Sequence, residues 1–186
     1  MPNIQLNRRQ FLKLASASTL VASQPAMGLG FNVIGLRDLG ERSLTLHNVH
    51  TGEKLKTTYW ANGEYDLRSL KEVNHILRDH RQDKAANMAP SLIDTLHHLY
   101  KLSGSRGEIY VVSGYRSPET NNMLRDKGHN VARNSMHTRG KAIDIRLDDV
   151  DLQYVKNAAL SMKAGGVGYY PKNGFVHIDV GRIRQW

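Results

Sequence analysis

Two histidines and one aspartate of this 186-residue chain, His137, Asp144 and His177, have the types and strand positions to hold a metal ion. In "SMHTRGKAIDIRL", residues 135–147, the apolar Ile143, Ile145 and Leu147 alternate as on the inner face of a strand. That alternation puts Asp144 and Arg146 on the opposite, polar face, where an unburied aspartate is expected. His137 sits in the loop leading in, and Gly140 lets the loop bend back over the strand. "GFVHIDVG", residues 174–181, repeats the pattern: Val176, Ile178 and Val180 face one way, and Phe175, His177 and Asp179 the other. If the two strands pair, Asp144 and His177 lie side by side and His137 reaches over them. Three such ligands leave a fourth position of a zinc ion open for water. Mn, Fe or Co accept the same ligands. The alternative at this level is an ordinary turn with a polar outer face.

"VVSGYRSPETNNMLR" adds a cation. A strand, a Ser113-Gly114 turn, Tyr115, Arg116 and a helix capped by Ser117 hold a guanidinium rigidly at a strand end. Arginine suits a place where a carboxylate or a developing oxyanion must be gripped with directed hydrogen bonds. The plainer reading is a surface arginine near a helix start, where the helix dipole disfavours its charge. The other histidines fit ordinary duties. His97 and His98 sit on an amphipathic helix, His75 and His80 on another, His47 and His50 flank a hairpin turn, and His129 lies in a polar loop.

These groups need a scaffold. "RSLTLHNV" and "EKLKTTYW" alternate apolar and polar residues and read as an N-terminal β-hairpin over 42–60. "SLKEVNHILRDH" is expected to be a helix opening at Ser69, with Glu72 completing a capping box. "SLIDTLHHLYKL" is a second helix, stopping near Gly104. "EIYVVSGYR" reads as a buried strand, and Pro118 starts the helix that Ser117 caps. A loop from Lys127 to Met136 leads to the His137 stretch. "VDLQYVKNAALSM" is a helix, "GGVGYY" a short strand and "GFVHIDVG" the last strand. The order gives an α+β fold with a small, mainly antiparallel sheet.

The composition narrows the partners. The chain contains no cysteine, which excludes disulfides and thiolate metal sites. Its net charge is +9. "NRRQFLKLASASTLVASQPAMG" has the basic, apolar and small-residue parts of an export signal, and Arg8-Arg9 with Phe11, Leu12 and Lys13 resembles a twin-arginine signal. Asn7 departs from the usual Ser or Thr of that motif. The apolar stretch from Phe11 to Ala22 is too short to span a membrane. Residues 1–30 are therefore expected to be a leader, and 31–186 a single domain delivered to the periplasm. Without Arg8, Arg9 and Lys13 the net charge stays near +6, which suits an anionic cell-wall polymer. Export and the lack of interleaved aromatic and basic residues argue against nucleic acid.

"SGYRSPETN", "SMHTRGKAID" and "GGVGYYPKNGFVHIDVG" together resemble the zinc D-Ala-D-Ala metallopeptidases, the VanX-like, hedgehog-related family, and within it the exported murein endopeptidases. The resemblance runs from about the hairpin to the C-terminus. It implies a small antiparallel sheet flanked by helices and a zinc enzyme that hydrolyses amide cross-links between peptidoglycan stem peptides. The S-x-H-x-x-G-x-A-x-D pattern falls on Ser135, His137, Gly140, Ala142 and Asp144. His137, Asp144 and His177 are then the zinc ligands, and Arg116 binds a substrate carboxylate or stabilises the tetrahedral intermediate. Where VanX-like relatives place a glutamate base, this chain has Gly174, and Phe175 stands where others have histidine. Asp179 is the nearest carboxylate left and is assigned as the general base, with orientation of His177 as its alternative role. A D-Ala-D-Ala carboxypeptidase or dipeptidase, and a zinc-keeping wall-binding module without turnover, are the alternatives.

Overall fold

The computed structural model describes residues 40–129 and 131–186. The leader expected over 1–30 lies outside them. Eight strands form one sheet in the order β3-β2-β1-β4-β5-β7-β6-β8. Strands β1 (Arg42–Asn48) and β2 (Lys54–Ala61) make the antiparallel N-terminal hairpin, and β3 (Glu64–Tyr65) extends it. Strand β4 (Ile109–Ser113) joins β1 in parallel. Strands β5 (Ala142–Leu147), β7 (Phe175–Asp179) and β6 (Gly166–Tyr170) follow in antiparallel pairings, and β8 (Arg184–Gln185) closes the edge parallel to β6. The fold is α+β with a mostly antiparallel sheet.

The alternation in the sequence decides which face is covered. Leu44 and Leu46 of β1, Ile109 and Val111 of β4, Ile143 and Ile145 of β5, and Val176 and Ile178 of β7 are all buried in one hydrophobic core. Helices α1 (Leu67–Ile76), α2 (Pro90–Ser103) and α4 (Leu152–Met162) supply its other half through Val73, Leu92, Leu96, Leu99 and Val155. Burying such side chains contributes about 1.5–3 kcal/mol each. The opposite face of β4, β5 and β7 carries Tyr110, Arg146, Asp144 and His177.

Three expectations need correction. Helix α1 starts at Leu67, not at Ser69: Asp66 is its cap and accepts from Arg68 N at 2.9 Å, while Ser69 Oγ donates to Asp66 at 2.7 Å from inside the first turn. The same helix stops at Ile76 rather than running on to His80. The Ile76 carbonyl accepts from Asn48 Nδ2 at 2.9 Å and the Leu77 carbonyl from Tyr115 N at 2.7 Å, so tertiary partners take the acceptors that further helical turns need. "GFVHIDVG" is not the last strand, because β8 follows it. Elsewhere the caps fall as read: Gly104 ends α2 at φ 70°, and Ser117 caps α3 (Pro118–Asp126).

Ser117 is fully buried and its Oγ accepts from Thr120 N at 3.1 Å. Ser117→Ala is expected to cost about 1 kcal/mol, read as a lower urea midpoint with an unchanged slope.

Candidate metal centre

Antiparallel pairing of β5 with β7 sets Asp144 directly opposite His177, on the face away from the core. His137 arrives from a 3-10 turn, Met136–Arg139, whose cap Ser135 accepts from His137 N at 3.3 Å. Gly140 ends that turn at φ 64°, and a side chain there would run into the carbonyl of Asn87. Its own carbonyl accepts from Ala89 N at 2.8 Å, so the loop is held down on both sides.

The three donor atoms form a tight triangle. His177 Nδ1 lies 2.8 Å from Asp144 Oδ1, His137 Nε2 lies 3.3 Å from the same oxygen, and the two ring nitrogens are 3.2 Å apart. A tetrahedral ion with bonds of about 2.0–2.2 Å has ligand–ligand edges of about 3.3–3.6 Å. The hydrogen bonds on the far side of each ring fix which nitrogen faces inward. His137 Nδ1 donates to the Gly114 carbonyl at 2.7 Å, leaving the Nε2 lone pair for the cluster. His177 Nε2 donates to Asp179 Oδ2 at 3.1 Å, leaving Nδ1. Lone pairs from three atoms converge on one point, an arrangement that a metal ion stabilises, or, in its absence, a proton on His177 shared with Asp144. The donor set therefore fits a metal, and nitrogen and carboxylate ligands suit zinc.

The buried charges respond accordingly. Burial alone raises the Asp144 pKa, but the charges and hydrogen bonds of His137 and His177 outweigh it and hold the carboxyl well below its ordinary range. Burial lowers the His177 pKa, yet hydrogen bonds to Asp144 and Asp179 more than compensate and leave it raised. Asp144 itself is only 5% exposed, which corrects the expectation of an unburied aspartate. The outer face of β5 is roofed here by the His137 loop rather than open to water.

Arg116 lines the same cleft, of about 530 Å³, with His137, Asp144, Tyr170, His177 and Trp186. Its guanidinium makes one hydrogen bond among the described residues, to Ser113 Oγ at 3.3 Å. Burial lowers its pKa, and the Asp144 charge works against that. The β4–β5 register shifts between Val111 and Ser113, at the end of β4 that leads to Arg116. The turn that follows is braced from two sides: Asp79, 2% exposed, in the segment after α1, accepts from Ser117 N at 2.9 Å, and Arg116 N donates to the His137 carbonyl at 3.3 Å.

Asp179 is not placed as a base. Its side chain is fully buried, lies on the far side of the His177 ring from the donor triangle, and accepts from Gly166 N, Gly181 N and the Arg184 guanidinium. Burial raises its pKa, but the His177 and Arg184 hydrogen bonds prevail and hold it low. Of its two expected roles, orienting His177 is the one its position serves. None of the remaining histidines joins the cluster. His97 is buried against Tyr59, His50 stacks on His80 at 4.3 Å, His47 bonds Glu108 at 3.1 Å, and His75 lies 4.0 Å from Glu53. Among the described residues, His137, Asp144 and His177 make up the one such group.

Sequence reading missed Asp79, Tyr170, Arg184 and Trp186. Glycines at alternate positions 166 and 168 of one strand were the available signal, since they mark close approach of another chain segment.

The fold and site define an α+β domain with a candidate metal centre, a buried His₂Asp triangle in a cleft that Arg116 lines. Comparison with known proteins gives the family. The chain belongs to the peptidoglycan L,D-endopeptidase MepK family, whose profile it matches over residues 38–186, and is thus a peptidase. It is 40% identical over 186 residues, all of both chains, to the peptidoglycan L,D-endopeptidase MepK of Escherichia coli (strain K12). The Shigella flexneri protein of the same name gives the same figures. The probable peptidoglycan L,D-endopeptidase MepK of Haemophilus influenzae is 35% identical over 187 residues, covering all of this chain and 98% of that one.

The pKa directions predict a stability profile for the metal-free protein. A lowered Asp144 contributes stability above its unfolded value near 3.8, lost as pH falls through its folded value. A raised His177 contributes fully below about 6.5, and that contribution is lost as pH rises through its folded value. With chelator present, Tm is expected to peak between about pH 4 and 6.5. His177→Gln removes the part of the decline above that range that belongs to this cluster, and thermal melts across pH check it.

Proposed function

We propose that this chain is an exported, zinc-dependent murein endopeptidase that hydrolyses amide cross-links between peptidoglycan stem peptides. The observation that carries this reading is the triangle of His137 Nε2, His177 Nδ1 and Asp144 Oδ1, three donor atoms 2.8–3.3 Å apart, a little tighter than the edges around a bound ion. Family membership and the names of the relatives support the substrate class. The basic chain supports an anionic polymer as partner, and the twin-arginine-like leader supports delivery to the periplasm. No helix among the described residues is long and apolar enough to cross a membrane.

Zinc, when bound, supplies an electrophile for the amide carbonyl and acidifies a water molecule. The protein's part is orientation and charge. Gly114 and Asp179 hold the two imidazoles in the tautomers that present Nε2 of His137 and Nδ1 of His177. Arg116, with no carboxylate in ion-pair reach among the described residues, faces the cleft as a donor for the tetrahedral oxygen or for a substrate carboxylate. With Asp179 withdrawn to Arg184, the carboxylate left at the cleft is Asp144, held ionised by its two histidine partners as a ligand rather than as a base. Tyr170, Phe175 and Trp186 also line the cleft, with Tyr170 and Phe175 stacked at 4.6 Å.

Digestion of purified sacculi tests the reading. Wild type is expected to convert cross-linked muropeptides to monomers, seen by mass spectrometry, while His137→Ala and chelator-treated protein release none. Equal release by wild type and His137→Ala overturns it. Release of terminal D-alanine alone would instead indicate a carboxypeptidase. Arg116→Ala is expected to lower kcat/KM by about 10²–10³ while leaving zinc content unchanged.

A further inference from the structure

Strand β8 adds two residues to the sheet, yet its side chains reach the metal centre. Arg184 grips Asp179 with both ends of its fork, Nη1 to Oδ1 at 3.0 Å and Nη2 to Oδ2 at 2.6 Å. Asp179 in turn accepts from His177 Nε2 at 3.1 Å. The backbone is shaped around this clamp. A Cβ at Gly166 would lie 2.5 Å from both Arg184 Nη1 and Asp179 Oδ2, and one at Gly168 would lie 2.8 Å from the Trp186 ring. Gly168 pairs with His177 in the sheet, so the indole that fills its space packs on that ligand, with centroids 5.2 Å apart. Arg184 itself lies over the same indole at 4.9 Å.

A buried carboxylate facing an imidazole can settle in two ways. It can rotate toward other donors, or it can hold one oxygen on the ring. A bidentate arginine removes the first option, because both oxygens are fixed in the plane of the fork. We infer that Arg184 is a positioning residue of the metal centre, acting through Asp179 to fix the orientation and donor nitrogen of His177 and thereby the affinity for zinc. This rests on the metal centre proposed above. It makes the final strand part of the site rather than an edge cover.

Zinc titration of the full chain against a competing fluorescent chelator reads the effect without any substrate. Arg184→Gln is expected to weaken zinc binding by about 10- to 100-fold, and Arg184→Lys, which keeps the charge but loses the fork, by less. Asp179→Asn is expected to weaken it similarly, and the double variant to bind within about twofold of Asp179→Asn alone, because both changes break one chain of contacts. Arg42→Gln, which breaks an ion pair to Asp94, controls for general destabilisation and is expected to leave zinc affinity unchanged. Binding by Arg184→Gln within twofold of wild type overturns the inference. So does independent multiplication of the two effects in the double variant, or an equal loss in Arg42→Gln. Zinc affinities in the expected order, with no digestion of sacculi by wild type, would sink the endopeptidase reading alone. Failure of wild type to bind zinc sinks both.

Discussion

The register between β5 and β7 is the constraint on which the site depends. With a side-chain period of two, a one-residue slip would send Asp144 into the core and Ile143 or Ile145 to the cleft. The hydrophobic residues therefore fix the chemistry. Ile143, Ile145, Val176 and Ile178 are held inward by burial, and Asp144 and His177 emerge opposite each other as a consequence. The carboxylate is charged and almost wholly removed from water, a state that is costly unless it is paired. The two imidazoles of His137 and His177 supply the pairing.

His137 comes from a loop, and a loop residue needs more bracing than a strand residue. The segment between α1 and α2 provides it. Leu77 and Asp79 hold the Tyr115 and Ser117 amides, and Asn87 and Ala89 pack on the Gly140 turn. The two loops are also tied to each other, by Gly114 to the His137 ring and by Arg116 to the His137 carbonyl. Guanidinium and ligand thus share one support. On the other side of the cleft, β8 does the same for His177.

The arrangement is asymmetric in charge. Carboxylates near the cleft are buried and committed, Asp144 to the histidines and Asp179 to Arg184. Arg116 is left facing the cavity. An acidic ligand meets a positive edge there, in keeping with the basic character of the whole chain.

Much of this was legible in the residues. Alternation gave β5 and β7 and the polar face that carries Asp144 and His177, and Ser117-Pro118 marked the helix that holds Arg116. The sequence by itself determined the inward residues, the donor types and the absence of thiolates, because these depend on side-chain chemistry and on a local period. It could not show that α1 stops at Ile76, since the groups competing for its last carbonyls come from β1 and from Tyr115. Nor could it separate the two roles open to Asp179, because Arg184 reaches that carboxylate only after β8 has docked beside β6. Tertiary structure decided those points for one physical reason: a hydrogen bond between distant residues has no local signature until the sheet brings its ends together.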